Sequence, residues 1–226
     1  MRILQTCPTR PFAGKKPGSL TERVATAGLQ MKLKAMMIAS ALAAALAGCT
    51  TDSTDIVSRA APPSMRWDSH PEAAAWTVNT LMAVAEEDQA LATRVPADIA
   101  TWCPGYTEAS LMERRAFWVG LISAVGKYES SYNPRAAGGG GKYIGVMQIS
   151  PRSAANYGCD ATSAAALKDG KANLACAVEM VAHHVEKDGV AVGNGRQGIG
   201  RDWMPFRKAN LRSDMANWVK SQSYCQ

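Results

Sequence analysis

From Ser110 the chain advances in helical steps. Trp118, Ile122 and Val125 fall on one face at spacings of four and three, and the next position on that stripe is an acid, Glu129. A stripe of this kind has to be buried against a core, so a helix here organises whatever fold the chain adopts. A carboxylate at its end costs several kcal/mol unless it is paired or stays protonated. Ser130 and Ser131 follow at once, and residues 130–159 contain neither Asp nor Glu. An isolated carboxyl in a partly apolar site has a raised pKa and can release a proton near neutral pH, which is the profile of a general acid.

The surrounding pattern is helical. Ser110 and Glu113 form a capping box that opens the central helix, and Asn133-Pro134 ends it. Ser69 and Glu72, with Pro71 between, predict a second capping box for a helix continuing to Val95. Four glycines, 138–141, read as a mobile loop leading into an extended segment, YIGVMQI, at 143–149. No GK[ST] follows them, so a phosphate cradle is rejected. A short helix begins at 151. A longer one carries Leu174, Val178, Val181 and Val185 on one face and stops at Gly189, and a last helix lies around 211–222. No strand alternation persists. The expectation is a mainly α fold: one helical domain, 69–226, with a short extended segment beside its active-site cleft.

The net charge of +6 suggests a nucleic-acid partner until it is located. Residues 1–48 hold seven basic side chains against Glu22 alone, which leaves 18 basic and 18 acidic residues from position 49 on. No basic face remains to meet phosphates, and no nucleic acid is expected. From Met31, two lysines precede an uninterrupted apolar run that ends in Leu46-Ala47-Gly48-Cys49, a secretory signal too short to span a bilayer. Residues 1–30 resemble neither signal nor domain, and Met31 is the expected start. The ending LAGC is similar to the lipobox of bacterial lipoproteins. That likeness implies acylation of Cys49, a lipid membrane anchor and, with Thr50 next, the periplasmic face of the outer membrane. Residues 49–68 then read as a flexible tether.

An exported domain is an oxidised one. Cys103, Cys159, Cys176 and Cys225 remain after the leader and Cys49 are set aside, and an even number predicts two disulfides. Of three connectivities, Cys159–Cys176 with Cys103–Cys225 is favoured. Neither the cysteine spacing nor His183-His184, which lack an HExxH arrangement, suits a metal. The two histidines read as helix-surface residues, and no cofactor is expected.

ESSYNP at 129–134, with Gly145-Val146-Met147-Gln148 sixteen residues after the acid, resembles the two leading motifs of the lytic transglycosylases with a lysozyme-like fold. SPRSAANYG at 150–158 is similar to the helix that follows them, and the resemblance covers roughly residues 115–208. It implies a lysozyme-like domain acting on peptidoglycan glycan strands at the β-1,4 bond between N-acetylmuramic acid and N-acetylglucosamine. By the same resemblance Glu129 is the sole acid and base, and the muramic C6 hydroxyl closes a 1,6-anhydro ring. Ser130, Tyr132, Tyr143, Gly145, Met147, Gln148 and Trp203 are the implied substrate contacts. Tyr132 and Trp203 could equally be packing residues.

Two positions depart from the family pattern. Gly138 stands where a serine is usual, and GIGRDW replaces a later Ala-Tyr-Asn motif, so Arg201 or Tyr143 could have taken over a role. Two other readings stay open. One is a hydrolytic muramidase that recruits a second carboxylate from Asp160, Glu179 or Asp202. The other is a non-catalytic wall-binding lipoprotein.

Overall fold

The helix opened by Ser110 is the axis of the molecule. In the computed structural model, which describes residues 62–226, it runs from Leu111 to Ser130. Ser110 Oγ accepts from the Glu113 amide at 3.3 Å while Glu113 Oε2 accepts from the Ser110 amide at 2.8 Å, so the expected capping box is formed. Every residue from Ala116 to Gly126 is buried. The apolar stripe is thus part of a helix wrapped on all sides.

In chain order the helices are α1 (Ala73–Glu86), α2 (Ile99–Trp102), α3 (Leu111–Ser130), α4 (Pro151–Tyr157), α5 (Gly170–Asp188) and α6 (Ala209–Lys220). Strands β1 (Ala137–Gly138) and β2 (Tyr143–Ile144) lie between α3 and α4. Helices α1 and α6 both pack on α3, and α5 packs on α1 and α4. Leu174, Val178, Val181 and Val185 all face inward, and α5 stops at Gly189, whose positive φ of 68° suits a residue without a Cβ. Both expected disulfides form, Cys103–Cys225 and Cys159–Cys176.

Six expectations are corrected. The Ser69–Glu72 capping box is absent: α1 begins after Glu72 with no side-chain cap, and the Glu72 amide donates instead to His70 Nδ1 at 3.1 Å. The His70 ring stacks on Trp76 with centroids 4.1 Å apart, which holds it there. Helix α1 also stops at Glu86 rather than Val95. Turns after it carry Leu91 and Ala92 into the core, where the Tyr106 hydroxyl donates to the Leu91 carbonyl at 3.1 Å.

Packing begins before Ser69. Met65 and Trp67 are buried, the Trp67 indole donates to Thr77 Oγ1 at 2.9 Å, and the Arg66 amide donates to Ser123 Oγ on α3 at 3.0 Å. The end of the expected tether is therefore part of the domain. Cys49 and residues 1–61 lie outside the described residues.

The glycine run is an ordered hairpin turn. Ala137 pairs with Ile144 and Gly138 with Tyr143, and the Gly141 amide closes onto the Gly138 carbonyl at 3.1 Å. Only Tyr143 and Ile144 of the expected extended segment are strand. Ile144 and Ile149 then exchange hydrogen bonds of 3.0 and 2.9 Å, which folds Gly145-Val146-Met147-Gln148 into a tight loop.

Of the histidine pair, His183 is exposed and His184 is buried. His184 Nε2 lies 2.8 Å from both the Tyr157 hydroxyl and Asp202 Oδ2, so these polar partners draw it inward.

Candidate active site

Glu129 is the last residue but one of α3 and is half-buried. Burial pushes its carboxyl from the ordinary 4.5 up to about 7, with no charged group among the described residues contributing. The negative end of the helix dipole acts in the same direction. At neutral pH a substantial share of the molecules hold this proton.

Immediately after Glu129 the backbone is bent hard. Ser131 and Tyr132 have φ of 53° and 65°, a left-handed conformation that costs a non-glycine residue energy and persists only where the surroundings enforce it. Two contacts enforce it here. Ser130 Oγ donates to the Val146 carbonyl at 2.8 Å, and the Gly145 amide donates to the Ala136 carbonyl at 2.9 Å. The end of α3 and the Gly145–Gln148 loop are thereby joined.

Gly145 has to be glycine twice over. Its φ is 81°, and a Cβ there would collide with the Asn173 amide and the Leu167 carbonyl. Gln148, half-buried with φ of 50°, is turned into its own hairpin: Nε2 donates to the Gly145 carbonyl at 2.9 Å and Oε1 accepts from the Gly138 amide at 3.1 Å. The first departure from the family pattern lies against this hairpin. A side chain at 138 would occupy the place of Gln148 Oε1.

The remaining expected contacts divide by exposure. Tyr143, on β2, is 41% exposed and open to solvent, with the Lys142 ammonium 5.1 Å from its ring centre. Met147 is fully buried beneath the loop. Tyr132 packs against the core near Gly126 with its hydroxyl buried. Trp203 is buried to 3% exposure, which excludes an open stacking platform, and its indole donates to the Met147 carbonyl at 2.9 Å.

Arg201 forks onto Asp188 with two bonds of 2.6 Å, through Nε and Nη2. None of the three candidate second acids contributes to the raised pKa of Glu129. Asp202 pairs with His184, and Asp160 and Glu179 line a hollow between α1, α4 and α5 together with Glu86 and Glu87. Burial and then Asp160, Glu87 and Glu86 raise the pKa of Glu179, which accounts for its state without Glu129. Among the described residues no group of three His, Cys, Asp or Glu side chains is arranged for a metal ion.

Asn173 was not anticipated. It is fully buried on α5, with Oδ1 accepting from the Met147 amide at 2.8 Å and Nδ2 donating to the Ile144 and Leu167 carbonyls at 3.0 and 3.1 Å. The signal for it lies in the sequence. Asn173, Ala177, Met180 and His184 follow each other at helical steps on one face, so a polar residue stands at each end of a buried stripe.

A mainly helical domain whose long central helix delivers a lone, protonatable carboxyl beside a two-stranded hairpin has the lysozyme-like fold. Residues 108–194 match the family model described as the Transglycosylase SLT domain. Among solved structures, Bd0314 DslA is similar in two forms. A glutamate-to-glutamine mutant superposes with a TM-score of 0.67 and a wild-type form with 0.66, each at 24% identity, covering 73% of this chain and 99% of the other. No curated protein matches the sequence.

Proposed function

We propose that the chain is a peptidoglycan lytic transglycosylase with Glu129 as its only acid and base. The observation that carries this reading is a half-buried carboxyl raised to about 7 by burial alone, on a domain of the transglycosylase SLT family. Protonated Glu129 gives its proton to the oxygen between N-acetylmuramic acid and N-acetylglucosamine as the bond to the muramic C1 breaks. The carboxylate so formed then removes the proton of the muramic C6 hydroxyl, whose oxygen bonds to C1 and closes the 1,6-anhydro ring. Atoms and charge balance without water, and Glu129 ends protonated again.

A hydrolase would need a second carboxylate to act as nucleophile or to activate water. That Asp202 is paired with His184, and that neither Asp160 nor Glu179 shifts the Glu129 carboxyl, favours the intramolecular route, whose hydroxyl is already at high effective concentration. Attachment through an acylated Cys49, on the periplasmic face of the outer membrane, belongs to the same proposal and rests on the LAGC motif.

Digestion of purified peptidoglycan, analysed by mass spectrometry beside Glu129→Gln, tests it. Muropeptides ending in 1,6-anhydro-muramic acid, lost in the variant, are expected. Reducing ends heavier by one water would replace the proposal with hydrolysis, and binding without any products would make the protein a wall-binding module.

A further inference from the structure

We propose that Asn173 and Trp203 are positioning residues that clamp the Met147 peptide from both sides and so fix the Gly145–Gln148 loop against the end of α3. What the loop does rests on the transglycosylase reading; the clamp rests on geometry alone. The Met147 N–H goes to Asn173 Oδ1 at 2.8 Å, and the Met147 carbonyl takes the Trp203 indole N–H at 2.9 Å. Asn173 spends both amide hydrogens on the carbonyls of Ile144 and Leu167. One residue back, the Val146 carbonyl takes the Ser130 hydroxyl. A continuous chain of hydrogen bonds therefore runs from α5 and Trp203, through two consecutive peptides of the loop, to the neighbour of Glu129.

The burial of the clamp gives it stiffness. Asn173 and Met147 are fully buried and Trp203 nearly so, so no water can replace a broken bond, and each unmade one leaves a desolvated polar group. The loop consequently has one favourable geometry. Both arms of the clamp are anchored in turn. Asp169 caps α5 by accepting from the Ala172 amide at 2.9 Å, and Cys176, three residues past Asn173, is bonded to Cys159 beyond α4. Asp202, adjacent to Trp203, is held by His184. Neither Asn173 nor Trp203 has the exposure to touch a glycan. Their effect on turnover passes through the loop, where displacement of about 1 Å can cost about a hundredfold in rate.

Trp203→Phe removes the donor while keeping a ring in the core; Asn173→Asp keeps the acceptor for Met147 and removes both donors. Each is expected to lower kcat on peptidoglycan by about 10- to 100-fold with KM changed less than about threefold. Hydrogen exchange at the Met147 amide is expected to accelerate in both, while the amides of α6 keep their protection. Variants that melt earlier but retain wild-type kcat well below melting, with Met147 protected as before, would overturn the clamp. A wild-type protein that cleaves no peptidoglycan would refute the transglycosylase reading instead. The clamp would then stand or fall on hydrogen exchange at Met147.

Discussion

The Ser130 hydroxyl donates to the Val146 carbonyl across 2.8 Å, and it is the only side-chain hydrogen bond that joins the Glu129-bearing turn of α3 to the Gly145–Gln148 loop among the described residues. Val146 is fully buried, so its carbonyl has no water to turn to. Ser130→Ala should lower unfolding free energy by about 1–2 kcal/mol. It should also reduce kcat by about tenfold, because the acid and the loop would no longer be held together. Denaturant unfolding and steady-state turnover measure the two effects separately. A stability loss with unchanged kcat would reduce the contact to packing.

The raised carboxyl predicts two pH dependences. In the proposed mechanism protonated Glu129 is the reactive acid, so kcat/KM should fall as pH rises through about 7, approaching tenfold per unit above it. Stability should fall over a lower range. In the folded chain Glu129 keeps its proton up to about 7, whereas in the unfolded chain it loses it near 4.5. The folded state therefore binds more protons between these values, and stability declines with rising pH across that window before levelling off. Glu129→Gln has no charge to desolvate and should be the more stable protein above pH 7, by no more than about 3 kcal/mol. Equal melting of the two proteins at pH 8 would mean that the carboxyl is well solvated.

How far the sequence led depended on whether a signal was local. The Ser110–Glu113 capping box, the Gly189 stop and the inward face of α5 follow from neighbours within one helical turn, and all three are formed. The acid on the apolar stripe was equally legible, because a misplaced charge is visible without knowing its partners. The structure departs where distant residues decide. Ser69 loses its capping role because His70 is held by Trp76, and α1 ends early because the buried Tyr106 hydroxyl needs the Leu91 carbonyl. Trp203, 56 positions from its acceptor on Met147, gave no local sign of facing inward.

Gly138 is the sharpest case of a residue whose meaning is not local. A serine there would match the family pattern, so Gly138→Ser looks like a repair. The place of its side chain is already taken by Gln148 Oε1, which accepts from the Gly138 amide. Gln148 can turn this flexible end away, but only by giving up its bond to the Gly138 amide, at a cost of about 1–3 kcal/mol. The variant should melt roughly 2–10 °C lower and digest peptidoglycan more slowly than wild type. Faster digestion at unchanged melting temperature would show that the hairpin tolerates a hydroxyl and that Gln148 is free to move.

The segment before α1 carries the last prediction. Met65 and Trp67 are buried, Trp67 meets Trp76 edge-on with ring centres 6.0 Å apart, and the Arg66 guanidinium pairs with Asp214 of α6 at 2.6 Å. Arg66 also lies 5.6 Å from the ring centre of Tyr128, the residue before Glu129. The strap thus ties α1, α3 and α6 together on the side of α3 away from its start. Trp67→Ala should destabilise the domain by about 3–5 kcal/mol, as expected for a fully buried indole that leaves Thr77 Oγ1 without its donor. A chain beginning at Ser69 should be weaker still, because it loses Met65 and Arg66 as well. Because Arg66 borders the turn that carries Glu129, the shortened chain should also lose turnover at temperatures where it remains folded. Calorimetry and peptidoglycan digestion on residues 62–226 and 69–226 make the comparison, and equal melting temperatures would return the strap to the tether.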